Sequence, residues 1–207
     1  MTKSKFLKLN SKNIVAFLED LFERRGDEEY LGEPVTMAQH MLQGAKLAEQ
    51  KGENDITIVS TLLHDIGHFT SEFGMFKMSD TSDKFHESSG AEVLKRFFPK
   101  LVTDCVQFHV AAKRYLCATD SSYMEKLSKA STHSLHLQGG PMNSAEIIEF
   151  EKNPYLNEIL KVRLFDDAGK DPKIKTPPFS YFAPRVQNIV DQYVKTLENQ
   201  IERKDYG

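Results

Sequence analysis

The sequence predicts an all-α fold: one helical bundle of about eight or nine helices, formed by residues 1–207 as a single domain. Three observations predict it. Apolar residues recur every three or four positions through nearly the whole chain, which is the period of a helix. Capping residues, together with glycine and proline stops, divide this pattern into segments of helical length. No stretch of the sequence alternates apolar and polar residues in the way that a strand requires.

The first two helices have clear boundaries in the sequence. The apolar residues of "SKNIVAFLEDLFERRG" form one stripe, and Gly26 ends the segment. After the loop "DEEYLGEPV", Thr36 and Gln39 form the pattern of a capping box, in which each side chain bonds the other's backbone N–H. Gly52 ends this second helix. We therefore expect two amphipathic helices joined by a short loop.

A buried helix and a long loop follow. Asp55 can cap a helix whose apolar run, Ile56–Leu63, is expected to be buried on most sides. The segment Thr70–Lys84 has no periodicity and reads as a long loop, a kind of segment that often forms a lid or a binding element. Helical patterns resume in "HESSGAEVLKRFF", which ends at Pro99, and in "VTDCVQFHVAAKRYL".

Four further helices are expected in the rest of the chain. Ser122 and Glu125 have capping-box spacing and open a helix that stops at "QGGP". A short helix, "SAEIIEFEK", and one from about Leu156 to Asp167 follow. Residues 171–207 contain a proline-rich connection, "KDPKIKTPP", and a final amphipathic helix, "RVQNIVDQYVKTLENQIERK".

Composition excludes several classes of partner. The net charge is -3, with both signs interspersed, so we expect neither nucleic acid nor an anionic membrane as partner. No apolar run reaches the roughly 20 residues of a membrane span, and the first residues lack the apolar core of a signal peptide. Two cysteines are too few for a disulfide framework or a cysteine-built zinc site. A cytoplasmic location is therefore expected.

Histidines and one aspartate indicate a metal site. In "TLLHDIGHF", His64 and Asp65 end an apolar run, where an unpaired buried carboxylate would be costly and a bound dication would remove that cost. His40, His86 and His109 also lie in predicted helices, two of them in apolar surroundings. A single helical histidine is more often an ordinary core residue. Histidines on four helices, however, match the way in which helical bundles bind metals.

Three further side chains share helix faces with these residues. His68 follows His64 by four positions, Lys113 follows His109 by four, and Arg163 precedes an aspartate by three. Residues at these spacings lie on one side of a helix. A pocket with two metals and such side chains suits a phosphate-like oxyanion, which arginine can contact through two N–H groups.

Five short motifs, "YLGE", "LLHDIGH", "HVAAKRYL", "LQGGPM" and "KVRLFDDAGK", resemble the PhnZ-type di-iron oxygenases of the HD-domain superfamily. The resemblance covers about residues 30–170, with the same order and close spacing. Members of this family cleave the carbon–phosphorus bond of hydroxylated organophosphonates. The resemblance therefore implies an HD-domain bundle around a dinuclear metal site.

The resemblance also implies the metal ligands. One iron would be bound by His40, His64, Asp65 and Asp166, and the other by Asp65, His86 and His109. Asp65 would bridge them, and the pair would be mixed-valent, Fe(II)/Fe(III), with O2 as co-substrate. The histidine and carboxylate set suits non-haem iron, although spacing alone does not distinguish iron from manganese.

Substrate contacts are implied in the same way. The residues assigned to phosphonate binding are His68, Lys113, Ser131, Ser134 and Arg163. On the residues alone, Ser131 and Ser134 read as a solvent-facing pair. Glu33 would meet an ammonium group of the substrate, and Tyr30 would occupy an iron position until substrate displaces it. Tyr30 and Asp65 are thus the implied catalytic residues.

These contacts predict a zwitterionic small-molecule substrate. The first candidate is 2-amino-1-hydroxyethylphosphonate, which would give glycine and phosphate. Its competitors are 1-hydroxy-2-(trimethylammonio)ethylphosphonate and hydroxymethylphosphonate. An upstream phosphonate hydroxylase is the expected pathway partner. The alternative function is a metal-dependent phosphohydrolase, which could use the same ligands; Tyr30, Glu33 and a requirement for oxygen distinguish the two.

Overall fold

The computed structural model describes residues 8–30, 32–71 and 79–205, and these form helices with a single bridge, between Glu29 and Thr36, as their only strand-like pairing. The helices are α1 (Ile14–Arg25), α2 (Met37–Gln50), α3 (Asp55–Leu63), α4 (Gly67–Thr70), α5 (His86–Leu94), α6 (Lys100–Thr119), α7 (Ser121–Glu125), α8 (Lys129–Leu137), α9 (Ser144–Phe150), α10 (Leu156–Ala168) and α11 (Phe179–Asp205). The all-α prediction is confirmed.

The described residues contain eleven helices rather than eight or nine, because two short ones separate from their neighbours. The first is α4, with four residues directly after "HDI". The second is α7: Asp120, rather than Ser122, caps it by accepting hydrogen bonds from two backbone N–H groups. Ser128 then caps α8 in the same way, through the N–H of Ser131. A carboxylate and a hydroxyl at these positions divide the single helix expected between Ser122 and "QGGP".

Local capping signals set the two helices that carry the first candidate ligands. The Thr36 and Gln39 capping box is present in both directions at the start of α2. At the start of α3 the cap is Asn54, whose side chain accepts from the N–H of Thr57. Asp55, the expected cap, is instead the first helical residue, where its negative charge still favours the positive end of the helix dipole.

Helix α3 is the central helix of the main apolar core. Ile58, Val59, Leu62 and Leu63 are at most 2% exposed and belong to an apolar cluster that also contains residues of α1, α2, α5, α6 and the start of α11. A second apolar cluster joins α6, α9 and α10. Since α3 ends inside the core, the chain that follows it, beginning with His64, is held at a buried position. The candidate site is therefore built on rigid, packed elements.

The final helix begins earlier than expected, at Phe179, and contains Pro184 in its first two turns. Its first half packs into the main core through Phe182 and Val186, whereas most residues after Val190 are exposed. No described helix is both long enough and apolar enough to cross a membrane. In the loop predicted between Thr70 and Lys84, residues 72–78 lie outside the described residues.

Candidate metal and substrate site

One group of candidate ligands lies where three helices meet. His40 is in α2, His64 directly follows α3, and Asp166 is near the end of α10. The Nε2 atoms of the two histidines are 3.0 Å apart, and Asp166 Oδ1 lies 3.3 Å and 3.7 Å from them. All three side chains are buried. Two imidazoles and a carboxylate at these distances can bind one cation.

A second group lies beside the first. His86 is the first residue of α5 and His109 lies in α6; their Nε2 atoms are 3.1 Å apart. Asp65 Oδ1 lies 3.2 Å from the former and 3.3 Å from the latter. This group has the same composition as the first, two imidazoles and one carboxylate oxygen.

Asp65 connects the two groups through its two oxygens. While Oδ1 faces His86 and His109, Oδ2 lies 3.6 Å from His40 Nε2 and 3.4 Å from His64 Nε2. A carboxylate in this position can contribute one oxygen to each of two cations. The geometry thus matches the bridging role that the resemblance implies for Asp65.

The hydrogen bonds of the histidines show that the site fits metal ions. Three of the rings direct Nδ1 at a main-chain carbonyl: His40 to Gly169, His64 to Thr61, and His109 to Val106, at 3.0, 2.7 and 2.8 Å. A carbonyl only accepts, so Nδ1 carries the hydrogen and Nε2 of the neutral ring carries a lone pair. Lone pairs that face each other across about 3 Å repel unless a proton or a cation lies between them.

The charge of the site also favours a cation. Burial alone would lower the pKa of His64, but Asp65 and Asp166 outweigh it and raise that pKa to about 10. The two carboxylates therefore stabilise positive charge at the position where the imidazole nitrogens converge. Metal ions supply that charge and remove the repulsion between lone pairs.

Gly67 explains the close packing of the "HDIGH" segment. A Cβ atom on Gly67 would lie 1.7 Å from the carbonyl oxygen of His86, so α4 can lie directly against the start of α5 only with glycine here. The contact stacks the rings of His68 and His86, with centroids 4.0 Å apart. Both ring nitrogens of His68 are buried without a hydrogen-bond partner among the described residues. They are available to a ligand in the cavity.

Two lysine–serine pairs form one wall of the cavity. Lys113 Nζ donates to Ser134 Oγ at 2.7 Å, and Lys170 Nζ donates to Ser131 Oγ at 2.9 Å. Both serines are buried, so they do not form the solvent-facing pair suggested by their residue types alone. Burial and the nearby Arg163 lower the pKa of Lys113 to about 7. This wall offers ammonium and hydroxyl donors to an oxyanion.

Arg163 is held by three partners. Its Nη1 lies 2.6 Å from Asp166 Oδ2, and its Nε contacts the Tyr123 hydroxyl at 3.0 Å and Asp167 Oδ2 at 3.1 Å. Nη2 donates to the other oxygen of Asp167. The edge formed by Nε and Nη2 therefore faces Asp167, and an oxyanion would contact the remaining N–H groups of Nη1 and Nη2.

Tyr30 and Glu33 form the opposite end of the cavity. The buried Tyr30 ring stacks on the His40 ring at 3.9 Å, and burial, Asp65 and Asp166 raise the pKa of its phenol well above the usual range. Glu33 Oε1 accepts hydrogen bonds from the Ser128 hydroxyl at 2.5 Å and from Lys170 Nζ at 3.1 Å. A carboxylate beside an aromatic face suits a cationic group.

Most of these side chains line one cavity. Its lining includes every predicted substrate contact and four of the candidate ligands: Tyr30, Glu33, Asp65, His68, His86, His109, Lys113, Ser131, Ser134, Arg163 and Asp166. The other lining residues are Asp83, Lys84, Val110, Ala130, Gln138 and Lys170. His40 and His64 lie behind this lining, in contact with Tyr30 and Asp65. Asp83 and Lys84 show that the described end of the long loop reaches the cavity.

Among the residues that sequence reasoning missed, Lys170, Asp167 and Tyr123 contact predicted side chains of the site. Two of them are in the motif "KVRLFDDAGK", and Asp167 follows Arg163 by four positions, so helix spacing could have indicated their pairing. Tyr123 lies 44 positions before Asp167, and the sequence contains no signal for that contact.

The chain is similar to one protein family and to several individual proteins. The HD-domain family matches residues 37–155. The [1-hydroxy-2-(trimethylamino)ethyl]phosphonate dioxygenase (glycine-betaine-forming) of Leisingera caerulea is 61% identical over 194 residues, which are 94% of this chain and 99% of the relative. The hydroxymethylphosphonate dioxygenase of Gimesia maris is 39% identical over 86% of this chain and 88% of the relative. An uncharacterised protein of Acanthamoeba polyphaga mimivirus is 33% identical over 88% and 82%.

Proposed function

Because this chain belongs to the HD-domain family, and within it to the PhnZ-type oxygenases, we propose that it uses O2 to cleave the carbon–phosphorus bond of 1-hydroxy-2-(trimethylammonio)ethylphosphonate. The products would be glycine betaine and phosphate. The observation that carries the proposal is the single cavity in which Asp65 lies between two histidine pairs, with a lysine–serine wall at one end and Glu33 at the other.

The proposed substrate differs from the first candidate of the sequence analysis in its amine. The Leisingera relative, at 61% identity, is named for the trimethylamino compound. The cation end of the cavity supports the same choice: it presents the Glu33 carboxylate and the Tyr30 ring. A quaternary ammonium donates no hydrogen bond and binds through charge and aromatic contact, which these two groups provide.

The two sets of imidazole and carboxylate side chains are the proposed iron ligands. His40, His64 and Asp166 would hold one iron, His86 and His109 the other, and Asp65 would bridge them. When bound, the irons, as an Fe(II)/Fe(III) pair, supply activation of O2 and oxidation at the substrate's C1. Oxidation of C1 from alcohol to carboxylate removes four electrons, which O2 accepts. Of the two oxygen atoms of O2, one balances the oxygen gained by the carboxylate and the other balances the oxygen gained by the phosphate.

The protein's own residues orient the substrate. Lys113, Ser134 and Ser131 would bind the phosphonate oxygens, together with the single ring N–H of neutral His68 and the outer N–H groups of Arg163. Glu33 would bind the ammonium group. Contacts at both ends would hold C1 between them, beside Asp65. The Tyr30 hydroxyl would turn away from the metal ligands as the substrate enters, while the Tyr30 ring stays beside Glu33. The buried walls exclude water from the reacting carbon.

A two-substrate assay tests the proposal. Iron-loaded protein is incubated with the trimethylammonio compound or with 2-amino-1-hydroxyethylphosphonate, in air and without oxygen, and phosphate is measured. We expect release only in air, with glycine betaine as co-product and a kcat/KM at least tenfold higher for the trimethylammonio compound. An equal kcat/KM for the two compounds, or a higher one for 2-amino-1-hydroxyethylphosphonate, would overturn the proposed substrate. Hydrolysis of a phosphate ester without oxygen, with neither phosphonate cleaved, would indicate the phosphohydrolase instead.

A further inference from the structure

Lys170 lies between the two ends of the cavity. Its Nζ is 3.1 Å from Glu33 Oε1 and 2.9 Å from Ser131 Oγ, and it lies over the Tyr30 ring at 5.8 Å from the centroid. Its side chain is 14% exposed and that of Glu33 is 10% exposed. The lysine ammonium therefore contacts both the groups proposed for the substrate's cation and one group proposed for its phosphonate.

The backbone around Lys170 holds it there. The carbonyl of Gly169 faces His40 Nδ1 at 3.0 Å, and Gln43 forms two hydrogen bonds with the backbone of Asp171, at 2.8 and 3.1 Å. A Cβ on Gly169 would lie 2.7 Å from the His40 carbonyl oxygen, so glycine permits this close approach. The segment is attached to α2 on both sides of Lys170, whereas the long lysine side chain retains rotatable bonds.

A substrate ammonium at Glu33 needs the contacts that the Lys170 ammonium already makes. Two cations cannot share one carboxylate and one ring face in a buried site without strong repulsion. Ser131, by contrast, belongs to the lysine–serine wall, as do Lys113 and Ser134, and the Ser134 hydroxyl donates to the Ser131 carbonyl. A lysine released from Glu33 would remain within reach of the phosphonate, whose negative charge attracts it.

We propose that Lys170 is an internal counterion of the cation site formed by Glu33 and Tyr30, and that the substrate's ammonium group displaces it toward the phosphonate. This inference rests on the proposed function. Lys170 thereby selects for substrates that carry both charges: a cation alone must displace Lys170 without offering it a new partner, and an anion alone must share Lys170 with Glu33. Lys170 is thus a specificity-determining residue.

Separate probes for the two charges test this role. Choline serves as the cation probe and methylphosphonate as the anion probe, and binding to iron-loaded protein is measured by calorimetry without oxygen. Lys170→Met frees Glu33 and removes one cation from the wall. We expect choline to bind at least fivefold more tightly and methylphosphonate at least fivefold more weakly. Lys170→Gln, which keeps a polar group near Ser131, should tighten choline binding equally and serves if Lys170→Met does not fold.

Matched controls separate this from a structural role. Lys173→Met alters an exposed lysine three residues away and should change neither probe. Glu33→Gln should weaken choline binding. If Lys170→Met weakens both probes, or changes neither, Lys170 is not the counterion of the cation site. Failure of the proposed function is seen separately, as absence of oxygen-dependent phosphate release by the wild-type protein.

Discussion

Replacing Gly67 with alanine tests whether the close packing of α4 on α5 assembles the metal site. The added methyl carbon would lie 1.7 Å from the His86 carbonyl oxygen, whereas real contacts of this kind are essentially never shorter than 3.0 Å. The start of α5 must therefore move away by about 1.3 Å, the difference between these two distances. Neighbouring atoms leave little alternative, since the Gly90 nitrogen is also only 2.8 Å from the same position.

A displacement of this size matters because His86 is the first residue of α5. Its Nε2 is 3.2 Å from Asp65 Oδ1, and metal–ligand distances tolerate changes of only about 0.2 Å. We expect Gly67→Ala to lose the iron proposed between His86 and His109, so that iron content falls from about two to about one per chain. Phosphate release should fall at least ~100-fold, the typical effect of a misplacement of about 1 Å.

Iron analysis and the phosphate assay measure both effects, and Gly52→Ala is the matched control. Gly52 has φ +75 with no atom within 4 Å of an added Cβ, so alanine there costs backbone strain of about 1 kcal/mol without displacing a neighbour. That variant should be slightly less stable, with wild-type iron content and rate. A Gly67→Ala protein that binds two irons and turns over normally would refute the packing argument.

Two further predictions concern Lys113 and Arg163, which are proposed to bind the phosphonate. Because burial and Arg163 lower the pKa of Lys113 to about 7, the Lys113 ammonium is lost as pH rises through that value, and kcat/KM should fall there. Lys113→Arg stays charged and should lack this alkaline decline. If the pH profile of kcat/KM is the same in Lys113→Arg as in the wild type, Lys113 does not cause the decline. Tyr123→Phe removes the hydroxyl that accepts from Arg163 Nε and donates to Asp167. The lost hydrogen bonding should weaken phosphonate binding by ~1 kcal/mol, which raises KM for the phosphonate about fivefold, with iron content unchanged. An unchanged KM, or loss of iron, would show that Tyr123 does not position Arg163.

Much of the fold could be predicted because its signals act over a few residues. The capping box at Thr36 and Gln39 and the apolar run of α3 both involve neighbours within four positions. The same local competition explains one failure: Asp120 accepts two backbone hydrogen bonds, and Ser122 does not become the cap. Spacing patterns alone do not rank two adjacent capping residues.

The sequence by itself determined the helical segments, the types of side chain available to bind metal and the family. It could not determine which oxygen of Asp65 faces which histidine pair, nor that Glu33 and Lys170, 137 positions apart, form an ion pair. The first depends on how α2, α3, α5 and α6 pack around Asp65, and the second on how α2 packs against α10. A side chain's partners across the fold are set by the packing of whole helices, whereas caps and periodicity are set within a helical turn.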